Sequence, residues 1–358
     1  MSMVRRGVIL LAGLGIGVAM LAFASVPPPP VVPGTEAITV IARPVPLNSA
    51  DPAQARLGAL TYRGGVALES DFAGFGGLSG LRWLAGEGRL VAVSDKGRWL
   101  VMTPAETPDG RLTGVGEVIA GPLLDEMGQR VGGGLNDAEG LEIVGNAHGT
   151  PDLLVSFEQQ HRVWRYPGAG ATDAVMALVR PARPRGDLLA DWPETLPGNG
   201  GIEAMAVAAD GGVSMLIAED SGTGRYTWQG PDGPRAVTFR YRGRPDFKPT
   251  DAVFLPGSDT RLLLLSRRYS PLTGVAAGLE LVDLAPLRAT GAGGRSDMAI
   301  SGRLLAELAP PVSVDNMEAL AVRPAPVAGQ LWLYLLSDDN FSPLQRTLLL
   351  KFALTLPR

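Results

Sequence analysis

Cysteine is absent from the 358-residue chain, and histidine occurs only twice, at His148 and His161. The absence of cysteine excludes disulfide bonds, thiolate-ligated metal centres and a lipid anchor on cysteine. The two histidines do not have the spacing of a zinc site, and the sequence has neither a G-x-S-x-G elbow nor a P-loop. The common hydrolase and nucleotide-binding motifs are therefore missing.

Charge is also sparse, because only 19% of the residues are charged, with 32 Lys and Arg against 36 Asp and Glu. No stretch forms a basic stripe, which argues against a nucleic-acid partner. In contrast, 46% of the residues are hydrophobic, which is ample for a large core. The 47 Gly and 30 Pro have no collagen period and separate short apolar runs. This pattern is typical of an all-β protein.

The N-terminus is predicted to be a targeting segment. Arg5 and Arg6 precede an uncharged apolar run, and Ala22-Phe23-Ala24 has the form of a cleavage site. The run is also near the length of one membrane span, so an uncleaved anchor is the alternative. Export without cysteine predicts a periplasmic or otherwise exported protein of a bacterial envelope. The predicted organisation is a targeting segment, a proline-rich linker and one domain, at 1–24, 25–36 and 37–358.

One short motif recurs five times and organises the rest of the chain. It places a carboxylate or hydroxyl residue at the start of an apolar run, as in Asp315-Asn316-Met317-Glu318-Ala319-Leu320. A second apolar run follows each copy and ends in a polar cluster, and a third often begins at an arginine. Five copies indicate a repeat protein. The copies lie at 76–83, 136–143, 201–207, 250–254 and 315–322.

The spacing of this motif predicts a β-propeller of four-stranded antiparallel blades. Successive copies are roughly 50 to 70 residues apart, which is enough for four strands and their loops. Five blades are favoured, with the ring closed by N- and C-terminal strands. Six blades are the runner-up, because Arg63-Gly64-Gly65 also fits a hairpin in a degenerate extra blade. Fourth strands are predicted at 112–120, 174–179, 236–241 and 299–309.

The geometry of such a blade brings the motif residues together at one mouth of the central channel. The first strand starts, and the second strand ends, at the same face of the disc. Converging carboxylates either hold protons or bind a cation, and oxygen ligands without His or Cys favour calcium. The alternative is a structural belt in which these side chains only cap strand starts. The predicted metal ligands are Ser79, Glu139, Glu203, Asp251 and Glu318.

A second ring of polar residues is predicted around that centre, where second strands end and third strands begin. Glu158 and His161 are predicted to move protons, and Arg267 is predicted to hold a charged group. Solvated ion pairs are the alternative for the arginines, and simple exposure is the alternative for His161. The long connection 181–200 is predicted to overhang this mouth. The predicted substrate-binding residues are Asp95, Lys96, Arg162, Glu219, Arg268, Asp338 and Arg346.

These motifs resemble the esterase-like phytase family of bacterial envelope proteins. A more distant likeness is to calcium-activated nucleotidases, which are five-bladed propellers whose single axial calcium is held by Ser and Glu side chains. Asp251 departs from that scheme, because a hydroxyl is expected there. Nucleotidase activity does not follow from this likeness. The family likeness is carried by Gly76-Gly77-Leu78-Ser79-Gly80-Leu81, Ser94-Asp95-Lys96-Gly97, Asp137-Ala138-Glu139-Gly140-Leu141, the motif around Glu318, and Ser337-Asp338-Asp339-Asn340-Phe341.

Two functions from different classes fit the sequence. The first is an exported calcium-containing hydrolase that cleaves a small anionic phosphate ester or another ester at the axial mouth. Calcium would bind the oxyanion or position water, and Arg267 and Arg346 would hold the charged group. The second is a non-catalytic propeller that binds an envelope ligand or partner and uses calcium as a structural pin. The protein is expected to be a monomer that contacts a membrane only through an uncleaved anchor.

Overall fold

Short apolar runs that are separated by turns form antiparallel strands along most of the chain. The computed structural model describes residues 34–145, 149–190, 192–289 and 294–356. The predicted targeting segment 1–24, most of the 25–36 linker and His148 lie outside these residues. Neither helix in the described part of the chain is long and apolar enough to cross a membrane.

Each repeat forms one sheet, and four strands precede the first repeat. These are β1 (Glu36–Ile38), β2 (Ile41–Pro44), β3 (Arg56–Leu57) and β4 (Leu60–Glu69). Blade 1 contains β5 (Leu78–Leu84), β6 (Arg89–Ser94), β7 (Arg98–Glu106) and β8 (Leu112–Pro122). Blade 2 contains β9 (Ala138–Val144), β10 (Asp152–Phe157), β11 (Arg162–Tyr166), helix α1 (Ala174–Leu178) and β12 (Arg183–Pro184).

Blades 3 to 5 follow in the same order along the chain. Blade 3 contains β13 (Ile202–Val207), β14 (Val213–Ala218), β15 (Thr223–Gly230) and β16 (Gly233–Tyr241). The next segment contains β17 (Lys248–Phe254), β18 (Arg261–Ser270), β19 (Gly274–Asp283), helix α2 (Ala285–Ala289), β20 (Gly294–Ile300) and β21 (Arg303–Leu308). Of these, β17, β18, β19 and β21 form blade 4. Blade 5 contains β22 (Asn316–Pro324), β23 (Gln330–Asp338) and β24 (Thr347–Thr355).

The five sheets are arranged as a five-bladed β-propeller, which confirms the predicted class and blade number. The ring is closed in blade 5, where β4 pairs with β24 and Val66 lies opposite Leu349. Arg63-Gly64-Gly65 lies inside the continuous strand β4, so it does not form the hairpin of a sixth blade. Closure of this kind covers strand edges that would otherwise be exposed.

The core lies between neighbouring blades and holds the inner strands around a common axis. All six residues of β14 are buried, as expected for a strand that is covered on both faces. One apolar cluster contains Val93 and Trp99 of blade 1 together with Leu141 and Val155 of blade 2. Packing of this kind fixes the positions at which the inner strands begin, and these positions define the mouth.

Two of the predicted fourth strands are wrong. Residues 174–178 of the predicted strand 174–179 form helix α1, since a short apolar run of Ala, Met and Leu fits either structure. Asp173 stabilises the helix as its N-cap, because its side chain accepts a hydrogen bond from the Met176 amide. The predicted strand 299–309 is divided. Strand β20 pairs in parallel with β16 of blade 3, whereas β21 pairs with β19 of blade 4.

Replacing Asp173 by alanine is expected to destabilise the protein by about 1 kcal/mol, because the cap of α1 is lost. The loss is measured as the difference in unfolding free energy from urea titrations. Asp71→Ala is the control, since Asp71 is an exposed carboxylate outside any helix. An equal effect of the two substitutions would show that the cap does not stabilise the helix.

Candidate functional site

Every inner strand carries an irregularity in pairing near its first residues, and the residues there face one another around the mouth. The pairing of β5 with β6 shifts at Ser79, and the corresponding shift in β13 lies at Glu203. In β9 the shift includes Glu139, and in β22 it lies at Glu318. In β17 it lies at Thr250. A β-bulge changes the direction of a side chain, so each blade directs one polar or charged residue toward the mouth.

The structure therefore places Thr250, and not Asp251, at the position of the other axial residues. The motif alone favours Asp251 because it is the acid nearest the start of the apolar run. In every inner strand the axial residue is the one at the bulge, and in β17 that residue is Thr250, one position before Asp251. The Thr250 hydroxyl lies 3.3 Å from the Met317 carbonyl oxygen. Thr250 also supplies the hydroxyl that the distant likeness to calcium-activated nucleotidases leads us to expect.

Asp251 belongs to a buried group around Arg82, which the sequence analysis did not single out. The Arg82 guanidinium donates to both Asp251 carboxylate oxygens at 2.8 and 2.9 Å and to Glu142 at 2.9 Å. It also donates to the carbonyl oxygens of Leu320 and Met205. Arg82 is 3% exposed, so its bonds to neighbouring inner strands lie inside the channel. Asp251 is consequently unavailable as a ligand at the mouth.

The opposite face of the disc has its own cavity. It has a volume of 920 Å³, and Arg82 and Glu142 form part of its lining together with Val253 and Val322. Arg82 therefore lies on the side of the channel that faces this cavity, below the acidic residues of the mouth.

Three carboxylates at the mouth have the arrangement of a metal site. Ligand oxygens of Asp137, Glu139 and Glu158 all lie within 4.8 Å of one another. Two ligands of one calcium ion lie at most about 5 Å apart, because each Ca–O distance is 2.3–2.6 Å. Asp137 was not among the predicted ligands, although it stands in the repeated motif directly before Ala138-Glu139. We call these three residues the carboxylate trio.

Backbone amides and neighbouring charges define the electrostatics of the trio. Glu158 is 2% exposed and accepts hydrogen bonds from the Gly200 and Gly201 amides. Burial raises the pKa of Glu158 to about 7 despite these bonds. Burial and then repulsion from Asp137 and Glu158 raise the pKa of Glu139 well above its ordinary value. Without a cation, Glu139 and Glu158 therefore favour their protonated forms.

A second group of acids at the mouth is paired with basic residues. The Arg267 Nε atom lies 2.7 Å from Glu318, and its Nη2 atom lies 3.4 Å from Glu219. Lys248 lies 3.4 Å from Glu219 and 2.5 Å from Asp220. Burial raises the pKa of Glu318 to about 7, although Arg267 acts in the opposite direction. Arg267 thus forms ion pairs with Glu318 and Glu219.

Blades 1 and 5 supply two further acids that were predicted to bind substrate. Burial raises the pKa of Asp338 to about 7, and the nearby charge of Asp95 adds to this shift. Asp95 lies 3.7 Å from Lys96, whose side chain is 55% exposed and stacks over Phe341 at 5.0 Å. The structure thus brings Asp95, Lys96 and Asp338 to the mouth beside the loop after β23.

The other predicted residues make mainly intramolecular contacts. Arg162 stacks on Phe157 and Trp164 at 4.1 and 4.3 Å and donates to two backbone carbonyl groups. Arg268 lies over Phe247 at 5.3 Å. The Ser79 hydroxyl donates to the Gly77 carbonyl oxygen at 3.3 Å. Arg346 is different, because its side chain is 52% exposed and lies 3.7 Å from Asp315.

His161 lies beside the carboxylate trio under the long connection 181–200. Its Nε2 atom donates to the Pro197 carbonyl oxygen at 2.6 Å, and its Nδ1 atom is buried without a hydrogen-bond partner among the described residues. A Cβ atom on Gly201 would lie 2.3 Å from the His161 ring and 3.1 Å from Glu158. Glycine at this position allows both side chains to approach the backbone. The connection 181–200 also contacts the mouth through Gly198, whose carbonyl oxygen accepts from Gln159.

One protein family matches most of the chain. The family described as "Phytase-like: Esterase-like activity of phytase" matches residues 73–341. This range includes the carboxylate trio and Arg267 and ends before Arg346. No curated protein matches the chain.

Several solved structures match the chain at low sequence identity and with TM-scores below 0.5. A putative 6-phosphogluconolactonase from Bacteroides fragilis NCTC 9343 has 12% identity and a TM-score of 0.36, covering 80% of this chain and 77% of that chain. A functionally unknown protein from Desulfotomaculum acetoxidans DSM 771 has 10% identity and a TM-score of 0.34, with coverage of 78% and 74%. Kuenenia stuttgartiensis hydrazine synthase has 10% identity and a TM-score of 0.35, with coverage of 76% of this chain but only 59% of that chain. Likenesses at this level carry no inference about function.

Proposed function

The chain belongs to the phytase-like family, and from this premise we propose that it is an exported calcium-dependent hydrolase. Its substrate is a small anionic phosphate ester or another ester, which binds at the mouth that the five inner strands surround. Export rests on the sequence of residues 1–24, and the expected location is the periplasm or another part of a bacterial envelope. The protein acts as a monomer and binds no nucleic acid.

The observation that carries this proposal is the carboxylate trio. Its three ligand oxygens are close enough to bind one ion, and none of its members forms an ion pair with Lys or Arg in the described part of the chain. Oxygen donors without nitrogen or sulfur suit calcium. Asp137, Glu139 and Glu158 would hold the ion, and a bound calcium would supply positive charge to an ester or phosphoryl oxygen.

The residues around the trio have distinct roles in this proposal. Lys96 and Arg346 are the exposed cations beside the loop after β23, so they bind the anionic group of the substrate. Glu158 serves as a ligand instead of a proton carrier, because backbone amides hold it in the trio. Proton transfer falls to His161, whose Nδ1 atom makes no hydrogen bond among the described residues.

The test combines metal analysis with an ester screen on the purified chain. An aryl phosphate, a phosphodiester and a short acyl ester are each incubated with calcium or with a chelator. We expect one of these esters to be hydrolysed only with calcium. Glu139→Gln is expected to lower the rate by at least about 100-fold, since it removes one ligand charge from the trio. The matched control is Glu36→Gln on the exposed strand β1, which should leave the rate unchanged.

A chain that holds calcium but hydrolyses none of these esters contradicts the enzymatic proposal. It would favour the second function, a non-catalytic propeller with a structural calcium ion. Arg162 and Arg267 already contact other residues of the protein, which leaves fewer cations to bind a substrate. This observation supports the second function.

A further inference from the structure

Blade 4 differs from blades 2, 3 and 5 at the bulge of the inner strand, and from all other blades at the second polar position of the mouth. At the bulge of the inner strand it carries Thr250, where blades 2, 3 and 5 carry glutamate. On the second strand, the residue in register with the position two before this bulge is Arg267, which pairs with Lys248. The strand registers place an acid at this second position in every other blade, namely Asp95, Glu158, Glu219 and Asp338. Blade 4 thus replaces a carboxylate with a cation.

The Arg267 guanidinium lies among the acids of blades 3 and 5. Its side chain is 29% exposed, and it contacts Glu318 at 2.7 Å and Glu219 at 3.4 Å. Both acids are buried, with exposures of 8% and 6%. A buried carboxylate requires a compensating positive charge, which Arg267 provides for Glu318 and which Arg267 and Lys248 provide for Glu219. Among the described residues, the carboxylate trio on the other side of the mouth pairs with no Lys or Arg.

Glu203 is an independent indication that this side of the mouth is suited to a cation. It is 8% exposed and forms no hydrogen bond or ion pair in the described part of the chain. Glu203 stands at the bulge of β13, as Glu318 does at the bulge of β22, so both belong to the same mouth.

We propose that Arg267 is a built-in cation that takes the place of a second divalent metal ion at the mouth. Only the carboxylate trio then binds calcium, which rests on the proposed function, and the chain holds a single ion. Removal of the guanidinium would leave Glu203, Glu219 and Glu318 with the Thr250 hydroxyl nearby. This set of hard oxygen donors suits calcium. In this role Arg267 is a determinant of metal stoichiometry and does not contact the substrate.

The test counts calcium ions on the folded full chain. Each protein is stripped with chelator, titrated with calcium by calorimetry, and analysed for bound metal by mass spectrometry. We expect one ion per chain for the unsubstituted protein and two for Arg267→Met. The double variant Arg267→Met with Glu203→Gln is expected to return to one. Arg268→Met is the matched control, because it removes the neighbouring arginine, which lies over Phe247 and pairs with no acid in the described residues.

Each outcome decides the inference separately from the proposed function. Two ions on the unsubstituted protein, or one ion on both it and Arg267→Met, overturn the inference. No ion on the unsubstituted protein and one on Arg267→Met support the inference but contradict calcium binding by the trio. If Arg267→Met does not fold even in excess calcium, a metal ion cannot replace the guanidinium, and the inference is overturned.

Discussion

Replacing Arg82 by methionine is expected to lower the free energy of unfolding by about 3–5 kcal/mol. The substitution leaves Asp251 and Glu142 buried without their cation, and these carboxylates are 1% and 3% exposed. It also removes hydrogen-bond donors from backbone carbonyl groups of blades 1, 3, 4 and 5. The loss is measured by urea-induced unfolding, followed by tryptophan fluorescence.

Two controls distinguish the effect of leaving buried carboxylates without their cation from the effect of removing an arginine side chain. Arg43→Met removes an arginine whose pair with Glu69 is exposed on both sides, at 63% and 54%. Its effect should be at most about 1 kcal/mol. Adding Asp251→Asn and Glu142→Gln to Arg82→Met should recover part of the loss, because the stranded charges are then removed. An Arg82→Met protein as stable as the parent would contradict a role for Arg82 in holding the inner strands.

Calcium is expected to stabilise the protein more at pH 7.5 than at pH 5. At a calcium concentration about 100-fold above Kd, mass action contributes about 2.7 kcal/mol. Calcium binds deprotonated carboxylates, whereas Glu158 and Glu139 of the folded protein favour protons, because burial raises the pKa of Glu158 to about 7 and that of Glu139 also rises. Protons therefore compete with calcium at the lower pH.

The pH dependence without calcium has the opposite sign. An unfolded glutamate has a pKa near 4.3, so between this value and about 7 the folded Glu158 holds more proton than the unfolded one. Its contribution to stability is fully present below the unfolded pKa and is lost as the pH rises through 7. For Glu158 alone this loss amounts to at most about 4 kcal/mol. Stability therefore falls with rising pH in chelator.

Thermal unfolding at pH 5 and pH 7.5, each with calcium and with chelator, checks both statements. Glu158→Gln should abolish most of the calcium effect and flatten the pH dependence in chelator. Glu36→Gln, on an exposed strand, should leave both unchanged. Equal stabilisation by calcium at the two pH values would contradict the assignment of raised pKa values to the metal ligands.

The propeller could be predicted from the sequence because its signal is local and repeated. Each blade begins with a polar residue before an apolar run, and the runs are of strand length. The exceptions lie where local signals conflict. Residues 174–178 form a helix because Asp173 caps them, and strand β20 leaves the segment of blade 4 to pair with blade 3. Such a crossover depends on tertiary contacts, which no run of residues encodes.

The site could be predicted only in part. The acids at Glu139, Glu203 and Glu318 follow from the repeat, but the choice between Thr250 and Asp251 depends on a bulge of one residue. Arg82 stands inside a strand and has no counterpart in the repeat, so its contacts across the axis are invisible in the sequence. Whether an arginine faces solvent, an aromatic ring or an acid likewise depends on side chains from distant parts of the chain.

Ring closure by β4 has a consequence for the order of biosynthesis. Strand β4 is among the first strands to be synthesised, and its partner β24, with 9 residues, is the last. Blade 5 therefore cannot be completed until the ribosome has passed Thr355, and the edge of β4 that pairs with β24 stays unpaired until then. A chain that is released before Thr347 lacks the strand that joins its two ends, and we expect such a product to be degraded instead of accumulating as a four-bladed form.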